Sequence, residues 1–141
     1  MDIDFSLGRL HHIGVVVRNT DAALKEMQKM KKTGSYTVTR QFVSTQKVNV
    51  SLIREVNNCA IEFVEPCGFS SPVYTYAQNG GGLHHLCFEV DDVYEALINL
   101  KEKGKVIVKP TVGLDGKLIA FMWLKTDILG FSLIELMNKK S

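Results

Sequence analysis

The chain has four histidines, and they stand as two adjacent pairs, His11-His12 and His84-His85. Each pair opens an apolar stretch, "LHHIGVVVR" and "LHHLCFEV". His12 and His85 are 73 residues apart, and a glutamate follows each by 50 residues, Glu62 in "AIEFVEP" and Glu135 in "SLIELM". A carboxylate amid such apolar residues is costly unless it is paired, hydrogen-bonded or coordinated. Two imidazoles and two carboxylates form an N/O ligand set. That set suits zinc, cobalt, nickel, manganese or iron(II) better than calcium or magnesium. An ion with open positions takes water or a carbonyl oxygen, and it stabilises an enolate formed by loss of a neighbouring proton.

These residues act together only if the fold brings them together, and strand alternation favours it. Side chains on a strand point to alternate faces. Glu62 lies between Ile61 and Phe63, and Glu135 between Ile134 and Leu136. His12 is followed by Ile13, Val15 and Val17, and His85 by Leu86, Phe88 and Val90. In all four stretches the large apolar residues fall on the face opposite the candidate. That face is expected to pack on helices, leaving His12, Glu62, His85 and Glu135 on a shared concave surface. His11 and His84 then point the other way, into structural or supporting roles.

The elements follow the same repeat. "HHIGVVVR" reads as a buried strand, and "NTDAALKEMQKMKK" as a helix capped by Asn19 or Thr20 and ended by Gly34. Its apolar face is Ala22, Ala23, Leu24, Met27 and Met30. "SYTVTRQFVS", "KVNVSLIRE" and "CAIEFVEP" read as three strands. "CGFSSPVYTYAQNGGG" reads as a linker with a short helix after Pro72, and "NGGG" as flexible rather than phosphate-binding. The second half repeats the order. It runs strand "LHHLCFEV", a helix from a capping box at Asp92 and Glu95 to Gly104, then strands "KVIVKP", "LIAFMWLK" and "FSLIELM", with turns at "VGLDGK" and "TDILG". The 73-residue offset also relates Val17 to Val90, Leu24 to Leu97 and Ile61 to Ile134. The expected fold is α+β. It has two tandem β-α-β-β-β modules (about 9–66 and 83–138, linker 67–82) of one 1–141 domain, with pseudo-two-fold symmetry and a cup-shaped, mostly antiparallel sheet.

Composition narrows the function. A chain of 141 residues is long enough for one cored domain. A net charge of +2 gives no field favouring nucleic acid or an anionic membrane. No apolar run approaches the ~20 residues of a membrane span, and "MDIDFSLGRL" lacks a signal-peptide pattern. Cys59, Cys67 and Cys87 are odd in number and form no CxxC pair, which points to reduced thiols and a cytoplasmic protein. Met27, Met30, Met122, Met137 and Trp123 are expected in the core or lining the cup. Cys87 shares the face of His85, Glu89 is expected to be solvated, and Gln41 and Gln46 are candidates for substrate contact.

On "LHHIGVVV", "AIEFVEP", "SSPVYTYAQNGGGLHHLCFEVDD", "VGLDGKLIAFMWL" and "SLIEL", the chain resembles the vicinal oxygen chelate superfamily. That superfamily includes glyoxalase I, methylmalonyl-CoA epimerase, extradiol dioxygenases and antibiotic-resistance proteins; the epimerase branch is the nearest in pattern. The resemblance places metal ligands at His12, Glu62, His85 and Glu135. It implies a metal-dependent isomerase or lyase that moves a proton next to a carbonyl of a thioester or thiol adduct, in a homodimer. One departure stands out: Thr45 occupies the position of a glutamate proposed as base in the epimerases, and threonine cannot serve as a carboxylate base. Lys125 and Thr126 replace the His-Pro of the family's last turn. Glu135 or Glu62 is then the candidate base, as in glyoxalase I. The alternatives are a non-catalytic small-molecule binding or resistance protein, and an iron(II) extradiol-type dioxygenase.

Overall fold

The structure, a computed structural model, describes residues 7–30, 36–55, 59–126 and 130–140. Along the chain run β1 (Leu10–Val16), α1 (Thr20–Met30), β2 (Tyr36–Val43), β3 (Val48–Glu55) and β4 (Ala60–Pro66). They are followed by α2 (Tyr74–Gln78), β5 (Gly82–Val90), α3 (Val93–Leu100), β6 (Gly104–Val112), β7 (Leu118–Thr126) and β8 (Gly130–Asn138). The fold is α+β, with β-α-β-β-β twice and α2 between. Several expected features lie outside the described residues: the N-terminal stretch before Leu7, Lys31 and Lys32, the helix stop at Gly34, and the turn at Asp127–Leu129.

The chain packs as two compact units, residues 12–84 and residues 85–141 together with 1–11. The boundary therefore falls inside β1, between His11 and His12, and inside β5, between His84 and His85. Residues 12–84 order their strands β2-β3-β4-β1, and residues 85–141 order theirs β5-β8-β7-β6. In each, the first strand lies parallel to the last, β1 to β4 and β5 to β8. The other pairs, β2/β3, β3/β4, β6/β7 and β7/β8, are antiparallel.

α1 and α3 start in a similar way. Asn19 Oδ1 accepts the Ala22 N–H at 2.8 Å. Asp92 Oδ1 accepts the Tyr94 N–H at 2.9 Å, so this cap closes on Tyr94 and not on the Glu95 amide that a capping box uses. The first helical N–H finds a side chain at the end of the last strand. Thr20 N–H donates to Glu65 at 2.7 Å, and Val93 N–H to Asn138 at 2.8 Å. Thr20 and Val93 are 73 apart, as are Glu65 and Asn138, so the repeat extends to the anchoring of the helices.

α1 and α3 are covered unequally. α3 buries Val93, Ala96 and Leu100 against Val90, Ala120, Met122, Ile134 and Leu136. α1 buries only Thr20, and of its expected apolar face Met30 is 78 % exposed while Leu24 and Met27 are half-buried. The sheet beneath explains the difference. Ser51 stands opposite Phe63 and Ala120 opposite Leu136, and Phe63 and Leu136 are 73 apart. Ser51 thus takes the place that Ala120 holds under α3, and its neighbour on that face, Asn49, is polar and exposed. Gly104 does not cap α3 in a left-handed conformation. Its φ is −173° at the start of β6, after a 3₁₀ turn at Lys101–Lys103, and it is a glycine because a Cβ there would run into the Trp123 carbonyl.

Close backbone approaches within each unit are matched as well. Glu89 N–H donates to the Arg9 carbonyl at 2.9 Å, and the Arg9 guanidinium meets the Glu89 carboxylate at 2.9 Å. Beside them Gly8 lies so close to the Glu89 carbonyl that no Cβ fits, and Gly81 lies equally close to the Val16 carbonyl. Gly8 to Gly81 and Val16 to Glu89 again differ by 73. Gly81 also sits at φ +65°, whereas Gly80, at φ +115°, has open space around it. We expect Gly8→Ala and Gly81→Ala each to lower stability by about 1–3 kcal/mol, with Gly81 the worse. Gly80→Ala should cost about 1 kcal/mol from conformation alone. Thermal melts of the three variants check this.

Candidate metal centre

The parallel ladder builds each His–Glu pair. In β1/β4, Gly14 stands opposite Glu62; in β5/β8, Cys87 stands opposite Glu135. Each histidine lies two residues before the strand position that faces the glutamate, so the two side chains share a face. His12 Nε2 is 3.5 Å from Glu62 Oε1, and His85 Nε2 is 3.1 Å from Glu135 Oε1. All four residues are buried, from 0 % exposure at His12 to 7 % at His85.

The spacing has chemical meaning. Two N/O ligands about 2.1 Å from one ion are roughly 3.0 Å apart at a right angle and about 3.4 Å apart at the tetrahedral angle. Both pairs fall at this separation, and both present Nε2 to the carboxylate. The donor set and its spacing therefore fit a divalent ion, and the same distances serve an N–H···O bond when Nε2 carries the proton.

Glu135 is enclosed by apolar residues on its own face. Cys87, Ile119 and Met137 are buried there with Phe121 against them, and Phe121 stands opposite Glu135 in the β7/β8 register. The Phe121 ring meets the His85 ring edge-on, with centroids 5.2 Å apart and planes at 86°. The other face of β8 belongs to the core under α3, through Ile134 and Leu136. Glu62 has Gly14 on one side and Leu52 on the other, within a unit whose Val48, Val50, Leu52 and Val64 are all buried.

Other candidates separate from the pairs. His84 is half-buried and meets the Tyr76 ring edge-on at 5.5 Å, while the Tyr76 hydroxyl donates to the Leu83 carbonyl. His11 is buried. Glu89 is not solvated as expected: it is paired with Arg9 and its side chain is 15 % exposed. Met122 and Met137 are in the core, whereas Trp123 is 41 % exposed. Cys59, Cys67 and Cys87 form no disulfide among the described residues. Thr45 lies exposed in the turn between β2 and β3, and in that turn the Gln46 carbonyl accepts the Ser71 hydroxyl at 3.3 Å. Phe121 and Leu52, which flank the carboxylates, were not singled out from sequence. The alternation that marks Glu62 and Glu135 does not say which strand lies alongside.

The sequence model of the Glyoxalase/Bleomycin resistance protein/Dioxygenase superfamily matches residues 11–121. The Ethylmalonyl-CoA/methylmalonyl-CoA epimerase of Cereibacter sphaeroides is 31 % identical over 82 % of this chain and 88 % of its own. The mitochondrial methylmalonyl-CoA epimerase of Dictyostelium discoideum is 27 % identical over 94 % and 80 %. Among solved structures, a variant of the Streptomyces coelicolor methylmalonyl-CoA epimerase in complex with 2-nitronate-propionyl-CoA has a TM-score of 0.79. It is 26 % identical over 96 % of this chain and 97 % of that one. With the twofold β-α-β-β-β order and the paired histidines and glutamates already in place, these matches make the chain a member of the glyoxalase/bleomycin resistance/dioxygenase superfamily, homologous to its methylmalonyl-CoA epimerases.

Proposed function

We propose that His12, Glu62, His85 and Glu135 together hold one divalent ion, and that the chain is an isomerase acting on the carbon next to a thioester carbonyl, with a methylmalonyl-CoA-type substrate. The observation that carries this is the buried His–Glu pair, built twice at ligand spacing on the same parallel ladder. Each of the four residues offers one ligand atom to such an ion. The homologous epimerases supply the substrate class. The wider reading is a cytoplasmic homodimer, and exposed apolar side chains such as Tyr94 and Ile98 support the pairing of two copies.

When bound, the ion supplies a Lewis acid for the thioester oxygen, which lowers the cost of the enolate. The rest falls to the chain. Cys87, Ile119, Met137 and Phe121 keep water from Glu135, and Phe121 fixes the plane of the His85 ring. Epimerisation takes a proton from one face of a carbon and returns one to the other, so it needs two proton-carrying groups. With Thr45 in an exposed turn, Glu62 and Glu135 are the carboxylates suited to that work. A carboxylate has two oxygens, so each can hold the ion with one and the proton with the other.

The purified protein should contain about one divalent ion per chain by elemental analysis, and it should exchange the α-proton of methylmalonyl-CoA with deuterium. Glu62→Gln and Glu135→Gln should each lower that exchange by roughly 10²-fold or more; exchange unchanged in both would remove the assignment. Thr45→Glu, which restores the carboxylate of the epimerase pattern, should raise the rate by about tenfold or more. Stability offers a separate check. Glu135→Leu should cost about 3 kcal/mol in denaturant unfolding of the metal-free protein, and His85→Leu/Glu135→Leu should recover most of it while abolishing metal content.

A further inference from the structure

A second site lies wholly within residues 12–84, away from Glu62. Thr20 and Asp21 of α1, Arg40 and Phe42 of β2, Asn49 and Ser51 of β3, and Glu65 of β4 line a cavity of about 290 Å³, with Gln41 and Val50 at its edge. Glu65 is three residues after Glu62, so it faces the opposite side of the strand. The cavity sits under the N-terminus of α1, on the helix side of the sheet.

The matching place in the other unit is closed. Thr20 corresponds to Val93, which is fully buried in the core under α3, and Ser51 corresponds to Ala120, also fully buried. Asn49 stands opposite Glu65. Leu118, one step beyond the Ile119–Met137 pair, occupies that place in the other unit and packs on the core. Three apolar residues in one unit are thus three polar ones in the other. Thr20 is only 6 % exposed, yet its Oγ1 has no hydrogen-bond partner. A buried hydroxyl in the place of a valine is a net cost unless something reaches it.

We infer that this cavity binds a neutral polyhydroxylated ring, the sugar of a free monosaccharide or of a nucleoside. The lining mixes acceptor-only carboxylates (Asp21, Glu65), a donor-only guanidinium (Arg40), and an amide and hydroxyls that do both (Asn49, Ser51, Thr20). Vicinal hydroxyls, which donate and accept at once, satisfy such a set. Charge disfavours the alternatives. Arg40 is bound to Asp21 at 2.8 Å, and the three ionised lining residues sum to −1, which opposes a phosphate. The helix N-terminus opposes a cation. Phe42, 55 % exposed, offers an apolar surface to the C–H face of a ring. The volume lies near the lower end of the roughly 300–1,000 Å³ typical of ligand pockets.

The test is an NMR titration of the full-length protein with D-glucose, D-ribose and adenosine. Saturable shifts are expected at the side-chain amides of Gln41 and Asn49 and the backbone amide of Arg40, with dissociation constants in the millimolar range. Binding of glucose alone identifies a free sugar, and binding of ribose and adenosine identifies a nucleoside; either supports the site. Asn49→Leu/Ser51→Ala, which restores the pattern of the other unit, should weaken binding by at least about tenfold without altering thioester exchange. Thr20→Val provides the same reading should the double variant fail to fold. No saturable shift with any of the three compounds, or binding by Thr20→Val and the double variant as tight as that of the unsubstituted protein, overturns the proposal.

Discussion

The structure depends on a parallel ladder used twice. When the first and last strands of a β-α-β-β-β unit run side by side in the same direction, the helix must cross over one face of the sheet. The other face is left to the side chains of those two strands. The register then decides which residues meet. It sets Glu62 across from Gly14 and Glu135 across from Cys87, which puts the imidazole two residues earlier within reach of each carboxylate. A one-residue slip would turn each glutamate into the core under the helix. The alternation of Ile61, Phe63, Ile134 and Leu136 guards against that slip, because those residues have nowhere else to be buried.

That ladder accounts for how much could be read without coordinates. His12, Glu62, His85 and Glu135 were visible because a strand writes its faces in alternate letters and a duplication writes them twice. Strand limits followed to within about two residues, whereas the pairing of each histidine with its own glutamate came from the structure. What the letters do not hold is what lies across from them. α1 and α3 have similar helical apolar spacing, yet only α3 is well buried, because Asn49 and Ser51 underlie one and Ala120 and Met122 the other. Likewise Gly104 looked like a helix stop and is in fact an extended residue pressed against Trp123. Glu89 looked like a free strand end and is held by Arg9, 80 residues away in sequence.

The two units have also diverged in how they treat polarity. Around Glu135 the surroundings are apolar on both faces of the strand, with Cys87, Ile119 and Met137 on one side and Ile134 and Leu136 on the other. Around Glu62 the face that carries the carboxylate is apolar, but the face beneath α1 carries Asn49, Ser51 and Glu65. One unit is thus apolar on both faces of the strand, while the other combines an apolar carboxylate face with a polar helix face.

The division of the chain inside β1 and β5 has a consequence for how the molecule forms. One unit is a continuous stretch of sequence and the other is not: residues 1–11 belong with 85–141, and Arg9 finds Glu89 only after a loop of 80 residues has closed. During synthesis, residues 12–84 can collapse as soon as they emerge. The first strand's opening residues must wait for β5 and β8 to leave the ribosome. Closing so long a loop late raises the contact order and places the slow step of folding at the assembly of the second unit.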